Sequence, residues 1–344
     1  MTDISLTDEE IDTLDQLTTS TTTTTSASGE PTTDLTEEEI AELDAMMTDV
    51  DARMMESTDE DLRIVREWAV GATPPQTLAA YERWGPGKPA MSQAARAYVA
   101  GQPQRTDPWK RLRVAFTLTG AEIGRKTGLG YVRSGANVRQ SVLEEIEYDT
   151  GKREREVTSQ QQDVMDYGSA NEGFGVEAYE VYRGWKLSHA NLVVCPNAGE
   201  SWLAASPDAL ALDRVVEVKV SKTNLYSWMP YWYIPQTQTQ MRVAGRPIND
   251  LVSVYLPVGS LQSSKEDDKS VMKIYQVSFN AEYYDRMTTA ACRYAECVLA
   301  RIHGVANHPT PIVLDRQSMP HVKVTLVATV QKVATFVKAA RRTM

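Results

Sequence analysis

Two charged side chains stand where a buried strand is expected, and a third shortly precedes it. In the stretch SPDALALDRVVEVKVSK, Ser206 to Lys222, the valines Val215, Val216, Val218 and Val220 read as a β-strand. Yet Glu217 and Lys219 lie in its middle, and Asp208 shortly precedes it. Side chains alternate across a strand, so Val216, Val218 and Val220 share one face and Val215, Glu217 and Lys219 the other. Glu and Lys are poor strand formers and costly to bury unpaired. An isolated Glu-x-Lys in a valine run reads as the wet face of a half-solvated strand. The upstream residues change that reading. Ser201–Ser206 reads as a second strand that stops at Pro207, which has no ladder donor. A short connection then folds back as a hairpin and brings Asp208 beside Glu217 and Lys219. Two carboxylates converging on one point repel unless a cation lies between them. Hard oxygen ligands gathered on one side suit Mg²⁺. A lysine beside such an ion positions or deprotonates an attacking water, or steadies charge developing at phosphorus.

These residues need a scaffold, and the sequence outlines one. The 344 residues suffice for one large domain or two small ones. Residues 1–34 form an acidic, Thr-rich arm that buries too little to order itself. Residues 35–105 read as a helical N-terminal region. It opens with an amphipathic helix over Leu35–Met55, where Thr36 and Glu39 make a capping box. From residue 106 to 302 the pattern is mixed α/β. Candidate strands are Asn191–Cys195, Trp202–Ser206, Val215–Val220, Leu251–Leu256 and Met272–Phe279, followed by a long helix over Ala281–Ile302. Residues 303–344 read as a loop and a final helix, the helix over 323–343 with a basic end.

Charge is distributed unevenly. The net charge is −10, but residues 1–60 hold 18 acidic residues and one basic, a net of −17, and the remainder is +7. A modestly basic body with an acidic arm is compatible with a nucleic-acid partner. The arm reads as a solubilising tail, with competition for a DNA channel as the alternative. No apolar run reaches membrane-spanning length and the first ten residues have no apolar core, so neither a membrane span nor a secretory signal is expected, and the setting is cytoplasmic. Cys195, Cys292 and Cys297 make no disulfide or zinc pattern, and three cysteines do not supply the four ligands of an iron–sulfur cluster.

The S-P-D, gap, E-x-K arrangement resembles the PD-(D/E)XK nuclease superfamily, and within it the YqaJ-type viral recombinases, the family of phage lambda exonuclease. Three other stretches agree in chain order. PWKRLRVAFTLTG (Pro108–Gly120) is similar to the family's W-x-x-x-R opening, and the resemblance gives Arg113 the 5′-phosphate of a DNA end, with Thr119 as a further donor. ANEGFGVEAYEVYRG (Ala170–Gly184) is similar to the helix with G-x-x-x-E, through Gly173 and Glu177. YWYIPQTQTQ (Tyr231–Gln240) resembles the family's Y-x-x-Q-x-Q helix, which places Gln236 in the active centre. Departures are the absence of a T-A-S serine near Thr119, of Cys-Pro after Lys219, and of Thr-Gly where AGR stands.

The resemblance implies an α/β (α+β) fold: a restriction-endonuclease-like core with a mixed central sheet flanked by helices, plus helical flanking regions. It implies a Mg²⁺-dependent (Mn²⁺ as a substitute) DNA exonuclease acting 5′ to 3′ on duplex ends and leaving 3′ single strands. Asp208, Glu217, the Val218 carbonyl and Glu177 would hold the metal, with Lys219 and Gln236 completing the catalytic set. A single-strand annealing recombinase as partner and a homo-trimer belong to the same implication. The competing readings are an endonuclease on the same core and a non-catalytic DNA-binding module that retains it.

Overall fold

A computed structural model describes residues 60–71, 78–116, 118–131 and 136–342. The acidic arm and the helix expected over Leu35–Met55 lie outside the described residues. The centre is a five-stranded sheet in the order β3-β4-β5-β6-β7. The strands are β3 (Ala209–Leu210), β4 (Arg214–Ser221), β5 (Ile248–Tyr255), β6 (Val271–Ser278) and β7 (Val324–Gln331). β4 and β5 run parallel and the other neighbours antiparallel, so the sheet is mixed, as the sequence predicts. A separate pair, β1 (Val193–Val194) and β2 (Ala204–Ala205), shortens the two strands expected there to two residues each.

Alternation decides which face each strand residue meets. Val215, Leu251, Tyr275 and Val277 enter the larger apolar core, and Val216, Val218, Val252 and Ile274 enter the smaller. After a helix over 60–70, the helices in chain order are α1 (Ala79–Trp84), α2 (Gln93–Ala100), α3 (Asp107–Ala115), α4 (Gly120–Thr127), α5 (Val138–Asp149), α6 (Ser159–Arg183), α7 (Ile234–Ala244), α8 (Ala281–Ile302) and α9 (Val333–Arg341). α7 packs against β4 and β5 on the side of the larger core. α6 lies along β4 on the other side, with α9 against it.

Local chemistry sets these elements. α6 starts at a capping box, Thr158 with Gln161, and stops at Gly184, whose φ is 68°. Its close approach to β4 requires Gly175, because a Cβ there would collide with the Val218 side chain. α7 begins with Pro235 in its first turn and ends at Gly245, φ 62°. α8 is capped by Asn280, whose side chain accepts from Tyr283 N at 2.9 Å. α4 is tied to α5 and α8 by a buried Lys126–Asp149 ion pair of 2.7 Å, with the Tyr294 hydroxyl donating to Asp149 at 2.6 Å.

One element differs from expectation. The helix predicted over 323–343 is a strand, β7, followed by a short helix, α9. The run VTLVATVQ is rich in β-branched residues, which lose side-chain freedom in helices and fit strands. Residues 303–344 therefore supply the edge strand of the central sheet as well as a loop and a helix.

Candidate active site

The β3–β4 hairpin builds the floor of a cleft. The ladder pairs Ala209 with Val216 and Leu210 with Val215 and then ends. Beyond that end, the Asp208 carboxylate replaces the backbone, its Oδ2 accepting from Val218 N at 2.6 Å. N–H and C=O of one strand residue point to the same side, so the Val218 carbonyl also faces the Asp208 side. Glu217 lies one residue back, 2% exposed. Its Oε1 accepts from Gln236 Nε2 and its Oε2 from Gln240 Nε2, both at 2.6 Å. Lys219 donates to Glu217 Oε1 and lies over the Tyr233 ring, 5.5 Å from its centroid.

α7 sorts its three glutamines by helical phase. Gln236 and Gln240, four apart, share the face toward Glu217. Gln238 falls on another side, where it accepts from Asn280 N (2.7 Å) and donates to Ser278 O (2.9 Å), fastening β6 to α8. Behind Gln240 stands Asn249 of β5, whose amide donates to Gln240 Oε1 at 2.9 Å. Gln240 and Asn249 are both essentially fully buried.

A cavity of about 400 Å³ opens over this floor. Its walls bring Arg113, Thr119, Asp208, Glu217, Lys219 and Gln236 together, along with Arg105, Glu172 and Gln240. Arg113 on α3 lies over the Trp109 ring at 5.2 Å. Thr119 is the residue before α4, and a backbone bridge from Thr119 to Ala204 sets it against β2. Three buried polar atoms on these walls, Trp109 Nε1, Thr119 Oγ1 and Ser206 Oγ, have no hydrogen-bond partner. Buried polar groups are nearly always satisfied, so the cleft is lined for a polar occupant.

Glu177 is not brought to this cluster. Its carboxylate is paired with Arg341 of α9, with Arg341 Nε donating to Oε1 at 2.6 Å, beside a different cavity near Leu261 and Lys338. The carboxylate that α6 contributes to the cleft is Glu172, ion-paired with Arg105 at 3.0 Å. The sequence carried a signal for this phase. Gly168, Glu172 and Gly175 recur at i, i+4 and i+7, and the two glycines mark the face of α6 that approaches β4. Gln240 was equally visible as the residue one turn beyond Gln236.

On the floor of the cleft two carboxylates, Asp208 and Glu217, share one lysine. Burial pushes the Asp208 carboxyl well above the usual carboxylate range, and the Glu217 and Glu172 carboxylates push it further, against Lys219 and the Val218 amide. Burial also raises Glu172, with Glu217 adding to the effect and Arg105 opposing it. Burial alone would depress Lys219, but the Glu217 and Asp208 carboxylates outweigh it and hold the ammonium charged. Among the described residues, no three His, Cys, Asp or Glu side chains form a ready-made metal cluster. The donor set nevertheless suits a hard cation. Asp208 and Glu217 supply oxygen, the Val218 carbonyl faces the same side, and Asp208 is raised first by burial and then by the carboxylate of Glu217 beside it.

Residues 108–247 match the family model of the YqaJ-like viral recombinase domain. The match spans 140 of the chain's 344 residues. That domain contains the whole floor of the cleft and both arginine-bearing and glutamine-bearing helices, α3 and α7, while Asn249, β6 and β7 lie beyond it. Among solved structures, an alkaline exonuclease from Laribacter hongkongensis is 17% identical, covering 58% of this chain and 93% of that one, with a TM-score of 0.40. The same exonuclease in complex with dAMP is 18% identical over 54% of this chain and 88% of that one, TM-score 0.36. A phage-related exonuclease from Haemophilus somnus is 11% identical over 64% and 90%, TM-score 0.31. No curated protein matches. Among the described residues no helix is long and apolar enough to cross a membrane.

Proposed function

We propose that this protein is a divalent-metal-dependent deoxyribonuclease that degrades duplex DNA from its ends, 5′ to 3′, leaving 3′ single strands. The observation that carries the reading is the convergence of Asp208 and Glu217 with Lys219 on a buried floor, in a cleft rimmed by arginines. Asp208, Glu217 and the Val218 carbonyl would hold Mg²⁺, or Mn²⁺ in its place, with Glu172 rather than Glu177 completing the acidic shell. When bound, the ion would supply Lewis-acid chemistry at a phosphodiester. Gln236 and Gln240 orient Glu217 by holding one oxygen each. Lys219, kept protonated by its acidic neighbours, acts as a donor that orients the attacking water and faces the developing phosphorane charge. Arg113, with its planar fork, and Thr119, with its unpartnered hydroxyl, take the 5′-phosphate. A single-strand annealing protein as partner and assembly of three copies into a ring belong to the same proposal, on the strength of the family resemblance.

The test compares linear 5′-phosphorylated duplex with closed circular duplex, in Mg²⁺ and in EDTA, for wild type and Lys219→Ala. Mg²⁺-dependent loss of linear DNA alone, abolished by the substitution, is the expected result. Nicking of the circle would replace it with an endonuclease, and DNA binding without cleavage under any condition would leave a binding module.

A further inference from the structure

Arg105 is set apart from the other cations of the cleft by its backbone. Its φ is +69°, a region that favours glycine and asparagine. It is the third residue of a turn from Pro103 to Thr106, closed by Thr106 N on Pro103 O at 3.3 Å and by the Thr106 hydroxyl on the same oxygen at 2.7 Å. Both neighbours are fixed. The Gln104 side chain donates to Ala190 O at 2.7 Å and to Pro207 O at 3.3 Å, and Pro207 immediately precedes Asp208. Thr106 caps α3, the helix that carries Arg113, by accepting from Trp109 N. The turn therefore joins the hairpin of Asp208 to the helix of Arg113, and Arg105 cannot relax without disturbing one of them.

The strain aims a guanidinium across the cleft. Arg105 lines both the 400 Å³ cavity and an adjoining one of about 230 Å³. It donates to Glu172 Oε2 at 3.0 Å and to Ser169 O at 3.3 Å, with its side chain 54% exposed. A half-exposed ion pair contributes little to stability and does not account for holding a non-glycine residue at positive φ. Backbone strain of this kind persists where the surrounding structure imposes it, and it gathers at functional sites.

We propose that Arg105 clamps a backbone phosphate of DNA entering the cleft, with Glu172 as its resting partner. The proposal rests on the nuclease reading and adds a substrate contact to it. The phosphate replaces Glu172 on the guanidinium, and the released carboxylate becomes available to the floor beside Asp208 and Glu217. Substrate entry and completion of the acidic shell are thereby one event.

Arg105→Gly separates this role from a structural one, because glycine removes the guanidinium and the strain together. Binding of a 3′-labelled duplex is measured by fluorescence anisotropy in EDTA across a salt series, alongside thermal unfolding. The expected result is affinity about tenfold weaker than wild type and a log K against log salt slope shallower by about 0.9, the share of one phosphate contact. Tm is expected to equal or exceed that of wild type. Arg105→Lys keeps the charge and is expected to retain the slope. Unchanged affinity and slope in Arg105→Gly, with Tm lowered, would make Arg105 a structural partner of Glu172 and overturn the clamp, while a wild type that still cuts linear DNA would leave the nuclease reading standing. A wild type that binds no duplex at any salt would overturn both.

Discussion

Two buried carboxylates on adjacent strands, Glu217 on β4 and Asp250 on β5, are treated in opposite ways. Asp250 faces α6, 0% exposed, and Oδ2 accepts from Tyr179 (2.6 Å), Arg183 (2.7 Å) and Arg214 (3.1 Å). Both arginines lie over the Trp185 ring, at 5.2 and 5.3 Å. Arg214 also pairs with Asp213 at 2.7 and 3.0 Å, so two cations balance two acids, and this cluster pins the C-terminal end of α6 to the sheet. Glu217 faces α7 and receives two neutral amides and one lysine that it shares electrostatically with Asp208. The first acid has its own cations, and the second shares one lysine with another carboxylate. Each place also holds one buried oxygen without a partner, Asp250 Oδ1 and Asn249 Oδ1, so charge balance, rather than polarity or burial, separates the structural acid from the one suited to bind an ion.

The sharpest way to break that contrast is to remove one of the two carboxylates that share Lys219. Asp208→Ala or Glu217→Ala should lower the rate of linear-duplex degradation on the order of 10³-fold, the size of losing a positioned charge-stabilising group. Isothermal titration with Mg²⁺ should show a matching loss of binding. If either variant kept wild-type turnover and Mg²⁺ affinity, the contrast would have no functional content. Asp250→Ala should do the reverse. Leaving Arg183 without its carboxylate and Arg214 with Asp213 alone should destabilise the fold by about 3–5 kcal/mol in urea unfolding, with the activity of the folded fraction retained.

Gln240→Leu tests how Glu217 is held. It strands one Glu217 oxygen and the Asn249 amide without partners, at about 1–3 kcal/mol for a buried group. A lower unfolding midpoint and weaker Mg²⁺ binding are expected together. A stability loss with intact Mg²⁺ affinity would confine Gln240 to packing.

The hairpin and the convergence of Asp208, Glu217 and Lys219 were legible because strand alternation converts sequence spacing directly into facing. α8 was legible to the residue, since Asn280 caps it and an amphipathic run follows. Facing on α6 was harder to read. A five-residue step turns a helix well away from its starting direction, so Glu177, the residue expected from the G-x-x-x-E pattern, meets α9 while Glu172 meets the cleft. β7 was hidden because a strand and a helix of apolar residues differ only in period. Its edge position, with Val324 and Leu326 partly exposed, blurs the alternation that would identify it.

Two smaller effects sharpen the picture at α9. Burial opposes the charge on Asp268, but hydrogen bonds from Ser270 (2.6 and 2.9 Å) and Thr335 N (2.7 Å) outweigh it and hold its carboxyl below the usual range. A depressed folded pKa means that this stabilisation is full above the ordinary carboxylate range and fades as pH falls through the folded value. Asp268→Asn should flatten that acid limb of a Tm-against-pH curve, and an unchanged limb would count against the capping role. The smallest effect belongs to Glu177→Ala. Losing a largely exposed ion pair with Arg341 should cost no more than about 1 kcal/mol and leave nuclease rates unchanged, whereas a large rate loss would return Glu177 to the site.

β7 has a consequence for the order in which the molecule is made. Chains emerge from the ribosome N-terminus first, and folding begins during synthesis. The segments that carry Arg113, Glu172, Asp208, Glu217, Lys219, Gln236 and Asn249 are all translated before β7. Until β7 arrives, β6 stands as a bare eight-residue edge, open to pairing with a neighbouring nascent chain. The charged floor can thus be assembled on a sheet whose border is still unsealed, and translation of the last strand is the step that closes it.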